Sequence, residues 1–163
     1  MGMQSGPLRA LLLFLFLIPV AHAARLGSWI LCAESCQNSF RSVLFNDTQP
    51  TASDLERSCE SILGLSSTYL CLEIYCGQEY RHLALQEQNE TCQSTLGVSI
   101  PSFSIVADLR HDNASAIRRI DETDDFDTLN PAVEVVIPSL EFFTTWYNTL
   151  VSCSKITSGS CGC

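Results

Sequence analysis

The sequence predicts a mainly α-helical protein: a small helical bundle stapled by disulfides, then a loop-rich acidic segment and a C-terminal aromatic helix. Three observations support this class. Six of the nine cysteines fall within residues 27–92, the same region has apolar residues at helical spacing, and the chain begins like a secreted protein. At 163 residues the chain has room for about one domain.

Residues 1–23 are expected to be a signal peptide. Arg9 precedes the apolar run LLLFLFLIPV, and Ala21 and Ala23 supply the small residues of a cleavage site. This run is shorter than the about 20 apolar residues that span a bilayer, which disfavours an uncleaved anchor. We therefore expect a secreted or cell-surface protein with no transmembrane span after the signal peptide.

Sequons and charge agree with secretion. Asn46, Asn89 and Asn113 each begin an Asn-x-Ser/Thr glycosylation motif. The formal net charge is −9, and the pair Arg118-Arg119 is the largest basic cluster. Binding to nucleic acid or to anionic lipid through a basic patch is therefore not expected.

The cysteine-rich domain, residues 27–92, begins with two predicted helices. Residues 28–45 carry an apolar stripe with polar residues largely off it. After a turn, Ser53 is the expected N-cap of a second helix, with two acidic residues in its first turn, where they suit the helix dipole. Gly64 is expected to end that helix.

Two further helices complete the predicted bundle. Ser66 or Ser67 is a candidate N-cap for a third helix, which runs through Cys76 and is closed by Gly77. The polar run QEYRHLALQEQNE predicts a fourth helix.

The rest of the chain has a different composition. Residues 93–132 are interpreted as an acidic linker, within which SFSIVADL predicts a short strand or extended segment. Residues 133–152 are interpreted as an aromatic helix with Ser139 as its N-cap, and residues 153–163 as a Cys/Gly/Ser tail. So aromatic a helix must bury one face, and residues 139–151 are expected to dock on the protein core or a membrane.

The clustered cysteines are interpreted as disulfides and not as metal ligands or a redox pair. Zinc knuckles and thioredoxin-type pairs use C-x-x-C, and neither close pair in this region has that spacing. Secreted chains form disulfides readily. The expected disulfide residues are Cys32, Cys36, Cys59, Cys71, Cys76 and Cys92.

The spacing alone does not determine which of these cysteines pair, because six cysteines allow many pairings. An antiparallel arrangement of the first and third helices favours Cys32–Cys76 and Cys36–Cys71, which leaves Cys59–Cys92. One feature opposes it: residues five apart on an α-helix, such as Cys71 and Cys76, are rotated by about 140° from each other. Among Cys153, Cys161 and Cys163, an odd remainder, one cysteine is expected to stay free or to pair between chains.

Other chemistry-bearing residues give weaker indications. His82 and His111 follow the signal peptide without the context of a nucleophile, and His82 is expected on a helix surface. The acidic run DETDDFD (Asp121, Glu122, Asp124, Asp125 and Asp127) has oxygen ligands for a hard cation but lacks the EF-hand pattern, so a solvated loop is favoured. No catalytic residue, metal site or cofactor is expected.

Four stretches together resemble the extracellular N-terminal region of fungal ferric-chelate reductases. They are ILCAESCQNSF, SCESILGLSSTYLCLEIYC, NETC and VIPSLEFFTTWYNTLV, and the resemblance covers most of residues 27–152. It implies the fold of that ectodomain and a cell-surface setting. The haem-binding membrane domain and the flavin and nicotinamide domains of those reductases have no counterpart here, so no electron-transfer residue carries over. A truncated reductase and a shortened secreted relative both remain open.

The expected function is therefore that of a secreted or cell-surface, non-catalytic cysteine-rich module linked to iron uptake. The alternative is a stand-alone small secreted cysteine-rich protein that binds haem or iron, as fungal CFEM modules do, or acts as an effector. CFEM modules carry eight closely spaced cysteines, whereas this region has six. A hydrolase has no constellation of residues behind it.

Overall fold

The computed structural model describes residues 28–107, 109, 116–124 and 132–154. The predicted signal peptide lies outside the described residues. The same holds for Asn113, His111, Asp125 and Asp127, and for Cys161 and Cys163.

The described part of the chain is mainly helical, which confirms the predicted class. Three disulfides hold its helices together. The helices are α1 (residues 28–39), α2 (Asp54–Glu60), α3 (Ile62–Cys71), a π-helical turn (Leu72–Cys76), α4 (Gly77–Leu96), a 3₁₀ turn (Phe103–Val106) and α5 (Leu140–Ser154).

Helix α1 is shorter than predicted because the chain after it pairs with a distant segment. Phe45 forms a parallel bridge with Ala132. The Ala132 N–H donates to the Leu44 carbonyl at 2.6 Å, and the Asn46 N–H donates to the Ala132 carbonyl at 3.0 Å. Directly after α1, the N–H groups of Phe40, Arg41 and Val43 donate to carbonyls three residues earlier, so the chain turns away from the helix before it reaches this pairing.

The cap of α2 is confirmed, but its end was predicted wrongly. Ser53 and Glu56 form a reciprocal capping box. The helix then stops at Glu60, since buried Ser61 is the N-cap of α3 and its Oγ accepts from the Gly64 N–H at 2.8 Å. Gly64 therefore lies in the first turn of α3, where its missing Cβ leaves room for Ser61 Oγ at 3.0 Å.

Ser66 and Ser67, predicted as caps, are instead buried within α3. Ser67 Oγ donates to the Leu63 carbonyl at 2.8 Å and accepts from the Val136 N–H at 3.1 Å. Its small hydroxyl side chain thus ties the helix to a strand of the last third of the chain.

The segment interpreted as a linker contributes to the core. Strand β1 (Arg118–Ile120) pairs in parallel with β2 (Val136–Pro138), and Ile120 and Val106 are fully buried. The stretch predicted as a strand or extended segment holds the 3₁₀ turn, so that prediction was wrong.

Helix α5 begins as predicted and docks on the protein core. The Phe142 N–H donates to Ser139 Oγ at 3.1 Å, which confirms the N-cap. Phe142 and Phe143 are buried, and the Phe143 ring stacks on Tyr75 with centroids 4.5 Å apart. Leu140, the first residue of the helix, is 65% exposed. Of the helices in the described ranges, none has the length and apolarity to cross a membrane.

The disulfides have the pairing that the antiparallel arrangement favoured. Cys32–Cys76 and Cys36–Cys71 join α1 to the π-helical turn and to α3, and Cys59–Cys92 joins α2 to α4. The rotation expected of an α-helix does not apply between Cys71 and Cys76, because the residues between them form a π-helical turn. Its hydrogen bonds join residues five apart, so it returns to nearly the same face after five residues.

Candidate ligand-binding cleft

An open cleft lies between α1, α2 and α4, and we call it the α1–α2 cleft. It consists of two adjoining cavities of about 390 and 210 Å³. Small-molecule sites typically begin near 300 Å³ and bring apolar walls together with a few polar groups. The residues that line both cavities are Gln37, Leu55, Ser58 and Gln88.

The larger cavity has an apolar wall supplied by the turn after α1. Phe40, Val43 and Phe45 line it, and all three are buried. The Phe40 and Phe45 rings lie 6.5 Å apart at 59° to each other. Aromatic pairs favour tilted arrangements, and these two rings are packed against each other in the absence of a ligand.

Gln88 gives the cleft a fixed polar floor. This α4 side chain is 9% exposed, and its Nε2 donates to the Ser58 carbonyl of α2 at 2.8 Å. The hydrogen bond joins the same two helices as the Cys59–Cys92 disulfide, and both cysteines line the smaller cavity. A hydrogen bond and a disulfide therefore both fix the distance between α2 and α4.

A cation marks the larger cavity. Arg57 forms an ion pair with Asp54, one turn before it on α2. Arg41 is exposed at the same cavity, and its guanidinium has no carboxylate partner among the described residues. An anion at this end of the cleft would meet a free guanidinium, which binds carboxylates through paired hydrogen bonds.

Two carboxyl groups mark the smaller cavity. Glu34 of α1 and Glu87 of α4 both line it. Burial raises the pKa of Glu34 above its ordinary value, and the negative charge of Glu87 raises it further. The cleft is thus polarised, with a guanidinium at one end and two carboxyl groups at the other.

The predicted site residues do not converge on this cleft except for Cys59 and Cys92. His82 is exposed on α4. In the acidic run, Asp121 Oδ1 accepts from the Glu122 N–H, and Asp124 Oδ2 accepts from the Asp121 N–H at 2.7 Å. These carboxylates close their own turn, and no group of three potential metal ligands occurs in the described ranges.

The sequons occupy different environments. Asn46 is exposed in the turn before α2, whereas Asn89 is half-buried on α4. In the tail, Cys153 is disulfide-bonded.

Sequence reasoning missed the cleft, although one of its residues left a signal. Ala84, Gln88 and Cys92 recur every four residues, which places them on one face of α4. A glutamine between two core positions indicates a buried polar group. Arg41 and Glu34 left no comparable signal, because their position depends on how α1 meets α2 and α4.

Searches of known families, of curated proteins and of solved structures return no match to this chain. What the cleft is able to bind therefore follows from its own side chains. An apolar wall, a free guanidinium and an opposed pair of carboxyl groups suit a small ligand with an anionic end.

Proposed function

We propose that this chain is a secreted or cell-surface, non-catalytic module comparable to the ectodomain of fungal ferric reductases. In this proposal it serves iron uptake by holding a small anionic ferric chelate in the α1–α2 cleft. The resemblance supports it through ILCAESCQNSF and YLCLEIYC, the two stretches whose cysteines are cross-linked to each other. Several disulfides also fit an oxidising, extracellular setting.

The observation that carries the binding proposal is a cleft whose walls are covalently fixed. Two disulfides hold α1, and a third holds α2 against α4. A site formed in advance loses little conformational entropy when a ligand enters it. Small chelates, which offer few contacts, benefit most from such preorganisation.

Charge selects the class of chelate. Ferric ions prefer hard oxygen donors, and carboxylate chelates of iron usually keep a negative charge. Arg41 would attract that charge, while Glu34 and Glu87 would repel it from the other end of the cleft. The chelate would then occupy the larger cavity against the apolar wall.

Calorimetric titration of the secreted protein with ferric citrate tests this proposal. We expect saturable binding that Arg41→Gln weakens by about tenfold, since hydrogen bonds to a charged group contribute about 1.5 kcal/mol or more. The matched control is Arg118→Gln, an exposed arginine on β1, which should leave the affinity unchanged. Absence of binding, or equal loss in both variants, would contradict the assignment of the cleft.

Two further measurements separate the proposal from its competitors. The purified protein should not reduce ferric citrate when NADPH is added, and reduction would contradict a non-catalytic module. Titration with haem should produce no shifted Soret band. Tight haem binding with such a band would instead favour the stand-alone haem-binding protein.

A further inference from the structure

A second groove lies along another face of α4, next to a sequon. It runs between α4 and residues 100–103 and has a volume of about 510 Å³. Asn89, the acceptor residue of Asn89-Glu90-Thr91, lines it. We call this cavity the Asn89 groove.

The Asn89 side chain is already oriented in this groove. Its Oδ1 accepts from the Ile100 N–H at 3.1 Å, which ties the amide to the segment after α4. N-glycosylation occurs at Nδ2, and the hydrogen bond to Oδ1 leaves that nitrogen available. Thr91, the hydroxyl residue of the sequon, is exposed.

The two walls of the groove match the two faces of a sugar. On α4, His82 and Gln86 precede Asn89 by seven and three residues, so all three share one face and offer hydrogen bonds. Across from them lie Ile100 and Phe103, which are apolar. An N-acetylglucosamine has polar hydroxyl and acetamido groups and an apolar face of C–H bonds.

The apolar wall is held rigidly. The Phe103 ring stacks on Tyr69 with centroids 5.8 Å apart, and Arg81 lies over it at 4.1 Å from the ring centroid. Tyr69 Oη in turn donates to the Pro101 carbonyl at 2.7 Å. The wall is ordered without a sugar, and a sugar would meet Ile100 and the part of the Phe103 ring that the Arg81 guanidinium leaves uncovered.

We propose that Asn89 carries an N-linked glycan whose first N-acetylglucosamine lies in the Asn89 groove. The glycan comes from a lipid-linked oligosaccharide diphosphate. Nδ2 bonds to the sugar C1 and loses a proton to the transferring enzyme, while the C1–O bond to the diphosphate breaks and the lipid diphosphate leaves. Because the sugar is tethered at the rim, weak contacts are enough to keep it in place. It fastens residues 97–103 to α4.

The test uses protein secreted from a eukaryotic host. Peptide mass spectrometry should find the glycan on Asn89. Hydrogen exchange is then compared for the fully glycosylated protein, for protein trimmed by an endoglycosidase to one N-acetylglucosamine, and for Thr91→Ala, which removes the sequon. The first two should exchange alike, whereas residues 97–103 of Thr91→Ala should exchange about fivefold faster, as local opening becomes easier.

Two controls isolate the sugar. Thr91→Ala and the wild type made without glycans in bacteria should exchange alike, so that the threonine itself has no effect. Asn46→Gln, which removes the sequon of an exposed turn, should leave residues 97–103 unchanged. An unmodified Asn89 would overturn the proposal, as would exchange of residues 97–103 that does not depend on the first sugar.

Discussion

Cys71 and Cys76 stand at the two ends of a π-helical turn, and both are bonded to α1, through Cys36 and Cys32 respectively. The two cysteines of α1 are four residues apart, whereas Cys71 and Cys76, to which they are bonded, are five residues apart. An α-helix would turn the second partner away by about 140°. The π-helical turn accommodates the extra residue, so both disulfides form although the two pairs of cysteines have unequal spacings.

Removing one of these two disulfides should destabilise the protein strongly. The double substitution Cys36→Ala with Cys71→Ala releases a loop with a sequence separation of 35. We expect the free energy of unfolding to fall by about 4 kcal/mol, because the unfolded chain regains entropy. Urea denaturation measures it, and the matched comparison is Cys59→Ala with Cys92→Ala, whose separation is 33. A loss below about 1 kcal/mol for both would contradict the stapled fold.

A side chain at position 77 should destabilise the protein, although there is open space around Gly77. Its φ is +71° and its ψ 164°, a region nearly exclusive to glycine, and no atom lies within 4 Å of a Cβ built there. Gly77→Asn should therefore cost about 1–3 kcal/mol of stability. Gly97→Asn is the control, because Gly97 has the left-handed helical conformation that asparagine adopts readily. Equal costs in urea denaturation would show that the backbone at Gly77 is not strained.

Ser61→Ala should destabilise α3 at its N-terminus. Ser61 Oγ donates to Asp47 Oδ1 at 2.7 Å while it caps the Gly64 N–H, and Asp47 Oδ2 accepts from the Leu63 N–H. The expected loss is about 1–2 kcal/mol, which combines a lost cap with a weakened carboxylate contact. Ser94→Ala, on the exposed face of α4, should change the unfolding free energy by less than about 0.5 kcal/mol. A Ser61 variant as stable as the Ser94 variant would refute the capping role.

The stability of the protein should depend on pH through Glu34. The pKa of Glu34 in the folded protein lies above the ordinary value of 4.5. Between these two pKa values the folded protein keeps a proton that the unfolded chain has lost. The stability due to this carboxyl is complete below pH 4.5 and is lost as the pH rises through the raised pKa. Glu34→Gln should match the wild type at pH 4 and exceed its stability at pH 7. The exposed Glu134→Gln serves as the control, and a Glu34 variant that is less stable at pH 7 would contradict the burial of a charge.

Local signals in the sequence predicted much of this fold. Ser53 and Ser139 cap helices as expected, because an N-cap acts through its nearest neighbours in the chain. The prediction that Gly64 ends the second helix was wrong, because Ser61 ends that helix and begins the next one without a loop between them. A hydroxyl residue three positions before a glycine is a weak signal beside the glycine itself.

Features that depend on distant segments were not predictable in the same way. The parallel pairing of Arg118 with Val136 and the bridge from Phe45 to Ala132 join residues that no local pattern relates. The α1–α2 cleft has the same origin, because three helices bring Arg41 and Glu34 to its two ends. The sequence therefore predicted the disulfides and the N-caps better than it predicted the α1–α2 cleft.

Peptide mass spectrometry of the unreduced, secreted protein tests the central claim most directly. Digestion should yield linked peptides for Cys32–Cys76, Cys36–Cys71 and Cys59–Cys92, with none of the six side chains free. Reduced thiols at these positions, or a different set of partners, would contradict the account of a helical bundle locked by its cysteines.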